Sequence, residues 1–177
     1  MKLLWLDLET TGLDPRSDTI LEVAACVADL SDPFVMRDPY EAVLRFRPYV
    51  LRVDPFVHEM HTNNGLWAAC ADSAMMVTDV EEHLIGMVGP ALPATRDDRT
   101  VLAGSSVHFD LEFIRVHMPR LAPYLSHRVY DVSAIKLFCQ SLGMPKPPKV
   151  EAHRAMADIR ESIEHAKQCA EWINWWF

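Results

Sequence analysis

The stretch that most limits how this chain can fold is Leu3-Leu4-Trp5-Leu6-Asp7-Leu8-Glu9-Thr10-Thr11-Gly12-Leu13, near its start. The apolar run reads as a buried strand, and Gly12-Leu13-Asp14-Pro15 ends it with turn residues. Side chains alternate between the faces of a strand, so Asp7 and Glu9, two apart, point the same way. Paired carboxylates in a buried setting are costly unless they share a proton, meet a basic partner or bind a cation. An all-oxygen ligand set favours a hard ion, Mg²⁺ or Mn²⁺. The local alternative is that one of the acids caps the Thr10-Thr11-Gly12 turn.

The 177 residues, half of them hydrophobic, suffice for one domain with a substantial core. No apolar run approaches the roughly 20 residues of a membrane span. Asp7 and Glu9 also interrupt any signal-peptide pattern at the N-terminus. The four cysteines, Cys26, Cys70, Cys139 and Cys169, are far apart and form no C-x-x-C pair, which points to reduced thiols and a cytoplasmic setting. The net charge of −8 argues against a protein that tracks along long nucleic acid by neutralising many phosphates. A short strand held at a metal site remains compatible with it, because the cation supplies local positive charge. Seven basic residues, Arg115, Arg120, Arg128, Lys136, Lys146, Lys149 and Arg154, form a basic half that could present an electropositive wall or an ordinary solvated face.

Ile20 to Leu30, with Glu22 near its start, reads as a second strand that Ser31-Asp32-Pro33 breaks, and Tyr40 to Val50 as a third. Short links between the three make an antiparallel meander. Asp54-Pro55 opens a short helix that Thr62-Asn63-Asn64-Gly65 closes. Thr78 followed by Glu81 has the spacing of a capping box at the head of another helix. Thr100 to Gly104 is a short buried strand, Phe109 to His117 a helix, and Val129-Tyr130 a brief strand. Helices over Val132 to Leu142 and Ala155 to Trp172 flank the irregular Gly143 to Lys149. The resulting fold class is α/β: a mixed sheet, three antiparallel strands plus two parallel ones, covered on both faces. Sites in such sheets gather at the carboxyl ends of central strands, where Asp7 and Glu9 lie.

Asp110 follows the Thr100 to Gly104 strand closely, so it faces the Asp7 and Glu9 pair if the two strands are neighbours. Locally it also fits an acid at a helix N-terminus. Asp158 falls in the last helix, where a pair with Arg154 would satisfy it within the helix for about 0.2–0.5 kcal/mol. His153, five residues before Asp158, would be about 140° away on a helix, so it is better placed on the loop or first turn. An imidazole there suits a general base that takes a proton from water.

The joint order of these groups resembles the DEDDh class of 3′ to 5′ exonucleases. Asp7-Leu8-Glu9-Thr10-Thr11-Gly12-Leu13 is similar to the first motif, Gly104-Ser105-Ser106-Val107-His108-Phe109-Asp110 to the second, and His153-Arg154-Ala155-Met156-Ala157-Asp158 to the third. The resemblance implies a ribonuclease H-like fold and a single exonuclease domain over residues 1–177. It also implies two divalent cations on Asp7, Glu9, Asp110 and Asp158, with His153 as base. Two such ions can activate water, clamp the scissile phosphate and stabilise the leaving 3′ oxygen.

Within the class the chain resembles the oligoribonuclease family along nearly its whole length, through Met60-His61-Thr62-Asn63-Asn64-Gly65-Leu66, Phe113 to Leu121, Tyr130 to Lys136, and Ala157-Asp158-Ile159-Arg160-Glu161-Ser162. That family removes short RNA, down to dinucleotides, and works as a homodimer. The resemblance implies Leu13 as a wedge and Phe56, where the family usually has Trp, as a base-stacking partner. It places His61 among the substrate-binding residues. Ser106 and Ser133 would cap a 5′ phosphate, with Arg128 reaching in from the second subunit. A cap contacts one or two phosphates, which reconciles RNA binding with a charge of −8. Ser105 stands where the family usually has Asn, His127 where a cap tyrosine is expected, and Ala134 where a threonine is expected. The alternatives are a single-stranded DNA exonuclease of the polymerase-proofreading type, which shares all three motifs, and an inactive nucleic-acid-binding module. The aromatic tail from Trp172 to Phe177 is expected to dock on its own sheet or on a partner subunit.

Overall fold

The computed structural model describes residues 1–46, 53–89, 91–148 and 153–176. Five strands form one sheet in the order β3-β2-β1-β4-β5. They are β1 (Lys2–Thr10), β2 (Ile20–Asp29), β3 (Asp32–Val43), β4 (Thr100–Gly104) and β5 (Leu125–Asp131). The first three pair antiparallel, and β1–β4 and β4–β5 pair parallel. This is the expected α/β architecture of the ribonuclease H-like kind. The helices are α1 (Pro55–Asn63), α2 (Leu66–Asp72), α3 (Val77–Val88), α4 (His108–His117), α5 (Val132–Ser141) and α6 (Ala155–Trp176).

Strand alternation divides the core into two layers. Leu4, Leu6 and Leu8 of β1 pack with Val80 and Leu84 of α3 and with Phe113 and Ile114 of α4. Leu3 and Trp5 face the other way, onto Ala155, Met156, Ile159, Ile163 and Ala166 of α6. The apolar stripe of α6 follows helical periodicity, and each fully buried large aliphatic side chain contributes about 1.5–3 kcal/mol. Asp7 and Glu9 share the odd-numbered face of β1, so the alternation that buries Trp5 also directs both acids to the α6 side. Gly104 ends β4 close against β1: a β-carbon there would lie 2.8 Å from the Leu6 carbonyl oxygen.

Several boundaries differ from those read in the sequence. The third strand is Asp32–Val43, directly after a tight turn, and of Tyr40 to Val50 the residues from 47 onward lie outside those described. Pro33 and Pro39 are tolerated in β3 because it is an edge strand, where a missing donor faces away from the ladder. The Pro33 carbonyl even accepts a bond from Trp5 Nε1 at 2.9 Å. Asn64-Gly65 closes α1 but also opens α2, which the sequence reading omitted; Gly65, at φ +77°, makes the reversal between them. α3 starts at Val77, and Asp79 rather than Glu81 accepts from the cap, through the Met76 N–H at 3.0 Å. Glu81 is buried and accepts from the N–H groups of Arg120 (2.6 Å) and Leu121 (3.1 Å), a tertiary use that its spacing from Thr78 does not reveal. β5 extends well beyond Val129-Tyr130, to Leu125–Asp131, and α6 continues to Trp176. In the tail, Trp172 and Ile173 pack on Cys139, Met144 and Ile135, within the subunit and against α5 rather than the sheet. All four cysteines are free and buried.

Candidate active site

Three elements deliver the acids. β1 carries Asp7 and Glu9 at its carboxyl end, α6 carries Asp158 three residues past its start, and α4 carries Asp110 in its first turn. Oxygens of Asp7, Glu9 and Asp158 all lie within 4.8 Å of one another. Asp110 stands apart from this trio but next to it: its Oδ1 accepts from the Leu8 N–H at 3.1 Å, and its charge acts on Asp7. The neighbouring β1 and β4 place it there, as the sequence reading required.

Burial sets the electrostatics. It is the main reason that the Asp7 carboxyl is held well above the usual carboxylate range, and the charges of Asp110, Asp158 and Glu9 add to it. Burial, with Asp158 and Glu22 following, lifts Glu9 to about 8, and Glu9 shares a hydrogen bond with Asp158. Asp110 is likewise lifted to about 8 by burial, against the opposing pull of its backbone hydrogen bonds. Glu9 and Asp110 therefore retain protons near neutral pH unless a cation replaces them, and Asp7 is pushed in the same direction. Among the described residues the trio offers only carboxylate oxygens, in the mutual repulsion that a divalent cation relieves, so the donor set fits a hard divalent ion.

His153 lies just ahead of α6 and outside it, at φ +46°, and lines the same cleft as Asp7 and Asp158. Ser106, Ser133, Lys136 and His165 complete this cleft of about 470 Å³. Asp131 Oδ1 accepts from the N–H groups of Ser106 (3.1 Å) and Ser133 (2.8 Å), and the two hydroxyl oxygens lie 3.1 Å apart. Ser105, in the family's Asn position, has its hydroxyl 2.8 Å from that of Ser162 on α6. A second cleft of about 980 Å³ opens on the other side of Glu9, with Leu13 and Phe56 on its walls. Both are unusually exposed for large apolar side chains, 82% and 70%. The carboxylates thus sit between an apolar cleft and a hydroxyl-rich one.

Two of the expected substrate-binding residues, His61 and Arg128, line neither cleft of their own chain. His61 is fully buried, with Nε2 3.2 Å from the Thr10 carbonyl oxygen and 3.8 Å from Glu9 Oε2, so it supports the end of β1 from behind rather than lining a substrate wall. Arg128, on the edge strand β5, is 63% exposed and nearest to Asp97 at 3.9 Å. Lys149 lies outside the described residues, and the described members of the basic set do not make one wall. Lys136 and Lys146 line the hydroxyl-rich cleft, whereas Arg120 turns toward Glu81 and Arg154 is committed to Glu22. This last pair, which the sequence reading missed, ties the buried Glu22 of β2 to the half-buried Arg154 just ahead of α6. Its signal was available: Glu22 is the only charge in Ile20-Leu21-Glu22-Val23-Ala24, and a buried acid needs a partner. The alternative pairing of Asp158 with Arg154 within the helix is thereby displaced.

With that geometry in place, the class follows. The chain belongs to the DEDDh/RNase T exonuclease family, whose model, described as "Exonuclease", matches residues 4–166. Within it the chain is similar to oligoribonucleases. It is 37% identical over 171 residues to the oligoribonuclease of Corynebacterium efficiens, covering 92% of this chain and 74% of that protein. It is 36% identical over 171 residues to that of Mycobacterium sp. strain KMS, covering 94% and 78%. A probable oligoribonuclease of Schizosaccharomyces pombe is 34% identical over 164 residues, 91% of this chain but 64% of that protein's length. Among solved structures, the zinc-bound E. coli exonuclease I–single-stranded DNA complex superposes with a TM-score of 0.68 at 21% identity, over 94% of this chain and 39% of that one. Exonuclease I of Methylocaldum szegediense gives 0.70 at 21% identity, over 96% and 40%. At that identity the likeness is one of fold.

Proposed function

We propose that the chain is a 3′ to 5′ exoribonuclease that hydrolyses short oligoribonucleotides, dinucleotides included, to 5′-mononucleotides. The observation that carries this reading is the convergence of carboxylates from β1 and α6, with Asp110 beside them, in a family whose similar members are named oligoribonucleases. Asp7, Glu9, Asp110 and Asp158 would hold two divalent cations, Mg²⁺ or Mn²⁺. Bound there, such ions supply Lewis-acid chemistry, lowering the pKa of water and offsetting charge on the scissile phosphate. The chain's own part is to orient and to move protons. His153 accepts the proton of the attacking water at an imidazole nitrogen. Leu13 wedges between bases and Phe56 stacks on one, each with an exposed apolar face to offer. Ser106 and Ser133 donate hydroxyls to a terminal phosphate, and Arg128, exposed on an edge strand, reaches the site of a second subunit in a homodimer. His61 holds Glu9 and Thr10 in place. Residues 1–177 act as one exonuclease domain in the cytoplasm; among the described residues no helix is long and apolar enough to cross a membrane.

The test is a substrate-length series from two to about twenty nucleotides, in RNA and DNA, with Mg²⁺ or Mn²⁺, for wild type and Asp7→Ala. A site closed by a cap turns over the shortest RNA best. Faster turnover of long single-stranded DNA would move the chain to the proofreading type. Equal rates for wild type and Asp7→Ala would refute the nuclease assignment. A mass measurement by size-exclusion chromatography with light scattering tests the homodimer.

A further inference from the structure

Several contacts converge on the short segment ahead of α6. On one side, Arg154 Nε donates to Glu22 Oε1 and Oε2 at 3.1 and 3.0 Å, and Nη2 donates to Oε1 at 2.6 Å. Glu22 Oε2 also accepts from the N–H of Ala155, the first residue of the helix, at 3.1 Å. On the other side, the Asn64 side chain bridges two backbones. Its Oδ1 accepts from the Leu66 N–H at 3.0 Å, and its Nδ2 donates to the His153 carbonyl at 2.6 Å. One end must accept and the other must donate, so the amide has one orientation. Between these anchors His153 has φ +46°, a left-handed conformation that a β-carbon disfavours. A residue other than glycine stays in such a conformation only when its surroundings hold it. Set free, this peptide would relax toward negative φ and swing the ring from the cleft it shares with Asp7 and Asp158.

The geometry points to Asn64 as a positioning residue for His153: with the Glu22–Arg154 pair fixing the helix side, its amide pins the His153 carbonyl and so aims the imidazole into the cleft. The inference rests on His153 being the base. The anchors grip the backbone and Arg154, which leaves the ring nitrogens available for proton transfer. Asn64 also accepts from the first N–H of α2, so one amide ties the α1–α2 turn to the third acidic segment.

Asn64→Asp separates these duties. It keeps an oxygen for the Leu66 N–H but sets a carboxylate oxygen against the His153 carbonyl and beside His61 Nδ1, which the wild-type Nδ2 approaches at 3.5 Å; Asn64→Ala removes all three contacts. Wild type, Asn64→Asp, Asn64→Ala, His153→Ala and the double variant Asn64→Asp/His153→Ala are compared for kcat and KM on a short oligoribonucleotide with Mn²⁺, for Mn²⁺ binding by calorimetry, and for Tm. The expected result, measured well below each variant's Tm, is a kcat roughly 10- to 100-fold lower in Asn64→Asp, part of what a general base supplies, with KM and Mn²⁺ affinity unchanged. In the His153→Ala background the same change should have no further effect, because the two act as a unit. Full additivity overturns the positioning role, as does a kcat loss that tracks a fall in Tm, or wild-type kcat in both Asn64 variants while His153→Ala is impaired. Wild-type turnover by His153→Ala would remove the base assignment itself, and the positioning role with it.

Discussion

Two buried acidic sites lie side by side in this protein and solve the same problem differently. Glu22 on β2 is satisfied from within the chain, by the Arg154 guanidinium and the Ala155 N–H. Asp7 and Glu9 on the adjacent β1 meet instead another carboxylate, Asp158, with Asp110 nearby, and their carboxyls are pushed upward in pKa by burial and mutual repulsion. A buried charge is tolerated when it has a partner. Glu22 has its counter-ion built in, and its role is to anchor α6. In the other cluster carboxylate faces carboxylate, an arrangement that a divalent cation would relieve, which makes it the candidate site. The Glu22 anchor sets the head of the helix that carries Asp158, so the paired acid holds the clustered ones in shape.

The contrast can be broken from either side. The largest effect is expected for Asp7→Asn, which should cut turnover by roughly 10³-fold or more, as loss of a group that stabilises transition-state charge does. The same variant should unfold at equal or higher Tm at pH 8 without divalent cations, because a neutral amide needs neither a proton nor a counter-charge in a buried site. An equal loss of stability and activity would show Asp7 to be structural. Glu22→Ala should behave in the opposite way, costing about 3 kcal/mol in urea unfolding. That is the low end for a broken buried pair, since Arg154 is 39% exposed and can recover some solvation.

The third prediction concerns protons and cations. Folded-state values of about 8 for Glu9 and Asp110 lie above their ordinary values of 4.5 and 3.8. Between those limits the folded state binds more protons than the unfolded chain. Without divalent ions, the stability that these two carboxyls contribute is therefore full below about pH 4 and is lost as pH rises toward 8. Mn²⁺ at a hundredfold excess over its Kd should restore about 2.7 kcal/mol at pH 8, and much less at pH 5 where protons compete. Thermal scans at the two pH values, with and without chelator, check it; a cation effect independent of pH would contradict the proton-retaining cluster. The smallest effect falls on the strand crossing that brings Asp110 to Asp7. Gly104→Ala places a methyl 2.8 Å from the Leu6 carbonyl oxygen and 3.0 Å from Val107 Cγ1. It should cost about 1–3 kcal/mol in denaturant unfolding as β4 gives way.

Much of this was legible in advance where the physics is local. The alternation of β1, the turn at Gly12, the short apolar β4 and the proline-broken segment before α6 all announce themselves within a few residues. Where tertiary partners decided the matter, local reading went astray. Glu81 has capping-box spacing from Thr78 but is used instead by the N–H groups of Arg120 and Leu121. The start of β3 was hidden by Pro33, a residue that only an edge position accommodates. His61 fell within a recognisable stretch, yet its complete burial could not be read from that stretch.

The residue order alone established which donors exist and which of them share a face: Asp7 and Glu9 point together because successive strand side chains must alternate, and all the available ligand atoms are oxygens. It could not establish that Asp158, far along the chain, closes on them while Asp110 turns one oxygen to the Leu8 N–H. Nor could it show that Arg154 answers Glu22 rather than Asp158. Those outcomes depend on sheet order and on how α6 packs across β1 and β2, where each acid competes for the partners that folding brings within reach.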